Sequence, residues 1–195
     1  MTTGFPLKNK IIIIGSGNAA MSAGIAALEN GSCVTILEKA PEKLSGGNTK
    51  YTAGAMRFCF NGIEDLIPLL QDPNDPRLKN TEFGCYSVTQ FANDLLSFND
   101  GQPLSDEQKI LVNQSYEAIK WLASHNIKFE PIFDRQSFKK DGKHVFWGGL
   151  ALSAANEGIG LFEQERDAFL SLGGELFYEK EVTSLSYAEG QIDGV

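Results

Sequence analysis

The chain has 195 residues, 42% of them apolar and 22% charged, the size and composition of one ordinary globular domain. Its formal net charge of −8 argues against nucleic acid or an anionic membrane as a partner, because either calls for a basic face. Cys33, Cys59 and Cys85 make no C-x-x-C pair, which suits reduced thiols in a cytoplasm and gives no disulfide frame, iron–sulfur site or zinc site to expect. The opening stretch Met1-Thr-Thr-Gly-Phe-Pro6 lacks a charged-then-apolar signal pattern, and no apolar run nears the roughly 18 residues of a membrane span. Internal repeats and low-complexity segments are absent.

Lys10-Ile-Ile-Ile-Ile14 runs straight into Gly15-Ser-Gly17-Asn-Ala-Ala20. Four uninterrupted isoleucines predict a short parallel strand covered on both faces. The glycine segment follows G-x-G-x-x-[G/A]. Gly15 suits a tight turn, Gly17 has no Cβ to hold a pyrophosphate off the backbone, and Ala20 lets the next helix pack close. That helix, Asn18 to Asn30, aims its first N–H groups and positive dipole end at the phosphates, and Gly31 is placed to stop it. Cys33-Val-Thr-Ile-Leu37 is the second strand. Glu38 lies at its carboxyl end, 23 positions after Gly15, close to the roughly 20 expected of the acid that takes the adenosine ribose hydroxyls. The order strand, glycine turn, helix, strand, acid predicts a dinucleotide site, which a nicotinamide-binding dehydrogenase or a non-catalytic nucleotide module also satisfies.

Past Lys39 and Pro41 the chain reads Gly46-Gly47-Asn48-Thr49-Lys50, then Thr52-Ala53-Gly54-Ala55. Asn48 and Thr49 offer a helix cap and side-chain donors, and the small-residue run allows a flat ring to lie against backbone. The pattern Glu38-Lys39-Ala40, Gly46 to Lys50 and Ala53-Gly54 resembles the FAD-binding signature of the fumarate reductase and succinate dehydrogenase flavoprotein superfamily. That resemblance implies an α/β fold: a Rossmann-type FAD-binding domain with a parallel central sheet, a helical insertion and a small β-hairpin layer. It also implies that Glu38 binds the adenosine ribose, that Lys39 next to it belongs to the cofactor site, and that Gly15, Gly17, Asn18, Ala19 and Ala20 face the pyrophosphate. Gly46, Gly47, Asn48, Thr49, Ala53 and Gly54 would line the isoalloxazine. Membrane succinate dehydrogenases carry a flavin-linked histidine near position 50, where this chain has Lys50 and Tyr51, so FAD is expected without a covalent bond.

Residues 57–145 read as a mostly helical insertion. Val88, Phe91, Leu95 and Phe98 form a helical stripe. Ser105-Asp-Glu-Gln108 is a capping box opening a helix with Ile110, Leu111 and Val112 inward, and Tyr116, Ile119, Trp121 and Leu122 read as a second helical stretch. Within this insertion, Arg57, Asp106 to Val112 and Ser115 to Phe129 resemble the tricarballylate dehydrogenase branch. Ile127 to Phe133 and Lys143 to Trp147 are predicted to pair as strands across the turn at Asp141-Gly142. His144 reads as a structural rather than substrate-facing residue. Gly158 to Leu172 is a helix, Glu175 to Tyr178 a third parallel strand, and Glu181 to Val195 a hairpin, in which the resemblance assigns the Val182 backbone to the adenine edge.

The implied activity is that of a flavin-dependent oxidoreductase moving hydride between flavin N5 and a carbon–carbon bond of a di- or tricarboxylate, with an electron partner that the sequence does not name. A ketosteroid-dehydrogenase-like enzyme carries the same FAD half. The family's capping domain, its substrate arginine and histidines, and its last flavin segment would follow Val195. The expectation is therefore an N-terminal part of a longer enzyme, its catalytic residues expected beyond Val195, with no metal, and with weak or empty FAD binding when it stands alone.

Overall fold

The computed structural model describes residues 9–195. The stretch Met1 to Pro6, read above as lacking a signal pattern, lies outside the described residues. In chain order, β1 (Lys10–Ile14), α1 (Asn18–Glu29) and β2 (Cys33–Leu37) come first. The middle carries β3 (Ala55–Met56), α2 (Ile63–Leu66), β4 (Thr81–Glu82), α3 (Val88–Leu96), α4 (Asp106–Ser124), β5 (Phe129–Pro131), α5 (Phe133–Gln136), β6 (Ser137–Lys140), β7 (Lys143–Phe146) and β8 (Leu152–Ala154). Then follow α6 (Glu157–Ser171), β9 (Glu175–Phe177), β10 (Ser186–Ala188) and β11 (Gln191–Gly194). Two compact units result: residues up to Thr52 join Gly158–Val195 in one, and Ala53–Glu157 makes the other.

In the first unit a parallel sheet runs β1-β2-β9, with Ile13 opposite Ile36 and Ile36 opposite Leu176. Branched residues at each step of β1 and β2 suit this pleated surface. Both helices lie against the Ile36 side. Met21, Gly24 and Ile25 form the buried stripe of α1, and Leu161, Phe162, Ala168 and Phe169 that of α6. Phe169 is fully buried; a Cβ on Gly24 would stand 2.8 Å from its ring and one on Gly174 2.2 Å. The ring thus fills volume that two absent side chains leave. The opposite face is open, with Ile12 45%, Ile14 55% and Phe177 45% exposed. This corrects the expectation of a first strand covered on both faces: α1 and α6 share one side, and β1 is an edge strand. The terminal hairpin is β10 with β11, antiparallel, shorter than predicted.

The second unit holds two three-stranded sheets, β3-β8-β5 and β4-β7-β6, around an aromatic core in which Phe83 stacks on Phe146 at 4.6 Å. It is therefore less purely helical than expected. The predicted partnership of Ile127–Phe133 with Lys143–Trp147 is not formed. β7 pairs with its neighbour β6 across Asp141-Gly142, while β5 pairs with β8. The two expected helical stretches after Ser105 are one 19-residue helix, α4, opened by the predicted capping box. Its buried positions are Val112, Ser115, Ile119 and Leu122, a continuous stripe at spacings of three and four, whereas Ile110 and Leu111 point outward at 55% and 49% exposed. Of the α3 stripe only Phe91 is buried, while Val88 and Phe98 are exposed. Among the described residues no helix is long and apolar enough to cross a membrane.

Replacing Gly24 by alanine sets helix propensity, a gain of about 1 kcal/mol, against insertion of a methyl into the buried Phe169 ring, a cost of about 1–3 kcal/mol. The ring is pinned from its other side by Gly174, so the clash should win. Urea unfolding should show Gly24→Ala less stable than the parent; a more stable variant would contradict this packing.

Candidate functional site

Because β1 and β2 are parallel, their carboxyl ends, Ile14 and Leu37, meet at one edge of the first unit. A cavity of about 450 Å³ opens there, lined by the turn Gly15-Ser16-Gly17, by Glu38 and Lys39, by Gly47, and by Lys180-Glu181-Val182. A crevice outside the carboxyl ends of parallel strands is where open α/β sheets take ligands, and this volume lies in the range of small-molecule sites. Gly15 sits at φ +89° and Gly46 at φ +103°, backbone torsions that favour glycine. At Gly46 a Cβ would also lie 2.8 Å from the Phe162 ring.

Ser16 ties the parts together. Its hydroxyl donates to Glu38 Oε2 at 2.5 Å and accepts from the Gly46 N–H at 3.0 Å. The Ala40 N–H donates to Glu38 Oε1 at 2.8 Å. Glu38 is buried, with one hydrogen bond on each carboxylate oxygen and further lone pairs left on both. Its main chain is fixed as well, by Glu38 N–H to Phe177 O and Lys180 N–H to Glu38 O, both 2.9 Å. Ser16 and Lys180 were missed in the sequence, the first because an x position between two motif glycines carries no visible requirement.

The start of α1 meets the second glycine loop. Gly17 is the N-cap with no side-chain cap, and the Asn18 N–H donates to Thr49 Oγ1 at 2.9 Å. One of the helix's first amides is therefore taken by a side chain rather than left for a ligand; those of Ala19 and Ala20 follow at the same end. Gly47, Asn48 and Thr49 lie in a short 3-10 turn, Gly47–Tyr51. Of the predicted site residues, Gly15, Gly17, Glu38, Lys39, Gly47 and Val182 line the cavity. Asn18 and Thr49 bond to each other beside it, and Gly46 is held by Ser16. Ala53 and Gly54 belong to the second unit, where the Gly54 carbonyl accepts from the Ala154 N–H at 2.9 Å.

Behind α1, Glu165 of α6 is fully buried. The Ser22 hydroxyl lies 3.3 Å from its Oε1, and its Oε2 has no partner among the described residues. Burial pushes this carboxyl up to about 8, against the opposing Ser22 hydrogen bond. In the second unit Arg57 Nη1 reaches Tyr86 OH at 3.1 Å and Asp94 Oδ2 at 3.3 Å, while Tyr86 OH donates to Asp94 at 2.6 Å. Burial first, then the Asp94 hydrogen bond, raises the Tyr86 phenol to about 12. His144 Nδ1 lies 3.1 Å from Ser137 Oγ and its ring stands edge-on to Phe133 at 4.8 Å, a packing position. No cluster of three metal-ligating side chains occurs among the described residues.

The family described as FAD binding domain matches residues 10–195. The chain belongs to that family. FAD is accordingly its cofactor, and the carboxyl-end cavity with a glycine turn and a buried acid is a fitting receptacle. A fumarate reductase (cytochrome) of Shewanella frigidimarina is 26% identical over 120 residues, which are 58% of this chain and 17% of that protein. A flavocytochrome c3 fumarate reductase in an open conformation has a TM-score of 0.60 at 21% identity, covering 95% of this chain and 29% of the other. The 3-ketosteroid-delta4-(5alpha)-dehydrogenase of Rhodococcus jostii RHA1 gives 0.62 at 18% identity, covering 95% and 40%. Both structural likenesses speak for the fold alone. The chain spans well under half of each of these proteins.

Two outcomes follow from the hydrogen bonds. Ser16→Ala strands the buried Gly46 N–H and one Glu38 oxygen, and should cost about 1–3 kcal/mol, read as a lower urea midpoint with faster amide exchange at Gly46. For Glu165, the folded state holds a proton that the unfolded chain releases near 4.5. Its contribution to stability is full below that value and declines as the pH rises to about 8. Unfolding midpoints measured across this window should fall for the wild type and flatten in Glu165→Gln; equal slopes would contradict the burial.

Proposed function

We propose that this chain is the FAD-holding N-terminal part of an oxidoreductase that acts on a carbon–carbon bond beside a carboxylate. The observation that carries the reading is the joined set of Glu38, Ser16 and the two glycine turns around one cavity. In this reading the Glu38 carboxylate accepts from the adenosine ribose hydroxyls while Ser16 keeps it oriented. Lys39 borders the same end, and the Val182 main chain borders the adenine. Gly15, Gly17, Asn18, Ala19 and Ala20 receive the pyrophosphate, favoured by the helix dipole. Gly46, Gly47, Asn48 and Thr49 face the isoalloxazine; the roles of Ala53 and Gly54 rest on the sequence motif alone. Bound FAD supplies acceptance and donation of hydride, and Lys50 and Tyr51 offer no histidine for a covalent link.

A di- or tricarboxylate is the proposed substrate. The fumarate reductase relative supports a fumarate-like acid, and the α4 segment's likeness to the tricarballylate branch supports a tricarboxylate. Arginine and histidine partners for it are expected outside this chain, as is the electron partner. The thiols of Cys33, Cys59 and Cys85, none in a disulfide, fit a cytoplasmic setting.

Spectroscopic titration with FAD tests the first half. The wild-type chain should turn yellow and bind, weakly if the isoalloxazine needs cover from elsewhere, and Glu38→Ala should lose roughly tenfold or more in affinity, as expected when a charge-assisted hydrogen-bond acceptor is removed. Affinity for NADH in place of FAD would overturn the reading. Assay of the complete enzyme with fumarate, tricarballylate and a 3-ketosteroid tests the second half, and turnover of the steroid alone would overturn the carboxylate assignment.

A further inference from the structure

Two acidic side chains are buried among the described residues, Glu38 and Glu165. The function proposed above uses only the first. Glu165 sits behind α1 with Ser22 as its hydrogen-bond partner, Oγ to Oε1 at 3.3 Å, and with Oε2 unpartnered among the described residues. The same Ser22 hydroxyl lies 3.3 Å from Asn18 Oδ1, one turn back along the helix. Asn18 in turn is fastened through its own N–H to Thr49 Oγ1 at 2.9 Å. A single side chain, Ser22, therefore connects a sealed carboxyl to Asn18, the first helical residue of the glycine motif.

A serine hydroxyl carries one proton, so Ser22 serves either Asn18 or Glu165 at any moment. Glu165 decides which. As a neutral acid it donates to Ser22 Oγ, and Ser22 directs its own O–H as a hydrogen-bond donor to Asn18 Oδ1. As a carboxylate it can only accept, so it draws the Ser22 proton away and Asn18 loses its donor.

We propose that Glu165 is a positioning residue for the cofactor's pyrophosphate, acting through Ser22 on Asn18, and that its ionisation weakens FAD binding. The inference rests on the FAD reading of the site. With Oδ1 held by Ser22, the Asn18 amide is fixed with its N–H groups available as donors at the start of α1; without that bond the amide is free to turn. A negative charge on Glu165 also opposes the positive end of the helix. Both effects lower phosphate affinity, so they add. Burial sets the ionisation near 8, within the range in which enzymes work. Other titratable groups on the surrounding elements are Glu29 on α1, Glu157, Glu163, Arg166 and Asp167 on α6, Lys50 beside Phe162, and Tyr178 after β9. Arg166 pairs with Asp167 at 2.9 Å, Glu157 with Arg135 at 3.3 Å, and Lys50 donates to the Lys43 carbonyl at 2.8 Å; none of the seven is hydrogen-bonded to Glu165.

The test is FAD titration of the chain, followed by flavin fluorescence, from about pH 6 to about pH 9 for the wild type, Glu165→Gln and Ser22→Ala. Wild-type affinity should fall roughly tenfold over this span, the worth of about one hydrogen bond. Glu165→Gln, whose amide donates to Ser22 at every pH, should keep the low-pH affinity throughout. Ser22→Ala should bind more weakly from the outset and retain a shallower pH dependence from charge alone. A flat wild-type profile, or a Glu165→Gln profile that copies a sloping one, overturns the inference and leaves the FAD reading standing. If Glu165→Gln does not fold, Ser22→Ala decides: a profile matching the wild type overturns the relay. No FAD binding by the wild type at any pH overturns both the inference and the reading beneath it.

Discussion

One hydroxyl holds the cavity in shape. Ser16 lies between the two glycines of the first turn, donates to the acid at the end of the second strand, and accepts from the amide that begins the second glycine loop. Each of those three segments is individually pliable, since two carry glycines with positive φ and the third is a strand end. Joined through a single buried oxygen they lose that freedom together. A carboxylate at Glu38 left to solvent would sample many rotamers; here both of its oxygens are already directed, so a ligand finds an acceptor whose orientation has been settled in advance.

The opposite side of α1 shows a different economy. Its surface towards α6 is cut low by Gly24, which brings the Phe169 ring against the helix, and Glu165, one turn earlier on α6, is fully buried. Sealing a carboxyl in this way is costly if it ionises, and a lone serine hydroxyl offsets little of that cost. The result is a group that stays protonated in the folded chain where an exposed glutamate would not. Nothing in the packing of α6 demands an acid there, because a leucine or glutamine of similar size would fill the same volume, and that is why its link to Asn18 through Ser22 invites a functional reading.

The parts legible in the sequence were those governed by short-range rules. The limits of β1 and β2 follow from runs of branched residues ending in glycine or an acid. Gly31, at φ +81°, stops α1 as its position demanded, and the Ser105 capping box opens α4 as assigned; the second box, Ser87 with Gln90 at the start of α3, was not foreseen. What escaped were matters of partner and of polar residues inside apolar stripes. Ser115 interrupts the hydrophobic period of α4, so the helix looked like two; in the structure its hydroxyl accepts from the Cys59 N–H at 3.0 Å and the stripe runs on. The Ser-Phe-Lys-Lys sequence of β6 hardly alternates, yet a tight turn delivers it to β7 ahead of the more strand-like Phe129 segment. Four isoleucines in a row could not say how many of their faces a helix would reach. Ser16 and Glu165 were invisible for a shared reason: a serine in a loop and a glutamate on a helix are ordinary until burial is known.

The aromatic ring lodged between Gly24 and Gly174 binds three positions into one inherited unit. Any side chain at 24 or 174 trespasses on Phe169, while a smaller residue at 169 leaves a void that neither glycine can occupy. Substitutions harmful one at a time become tolerable in company, for instance an alanine at 24 arriving after leucine at 169. Lineages of this fold that differ here should therefore differ at the three sites jointly, and the order in which such changes accumulate is constrained by volume rather than by chemistry.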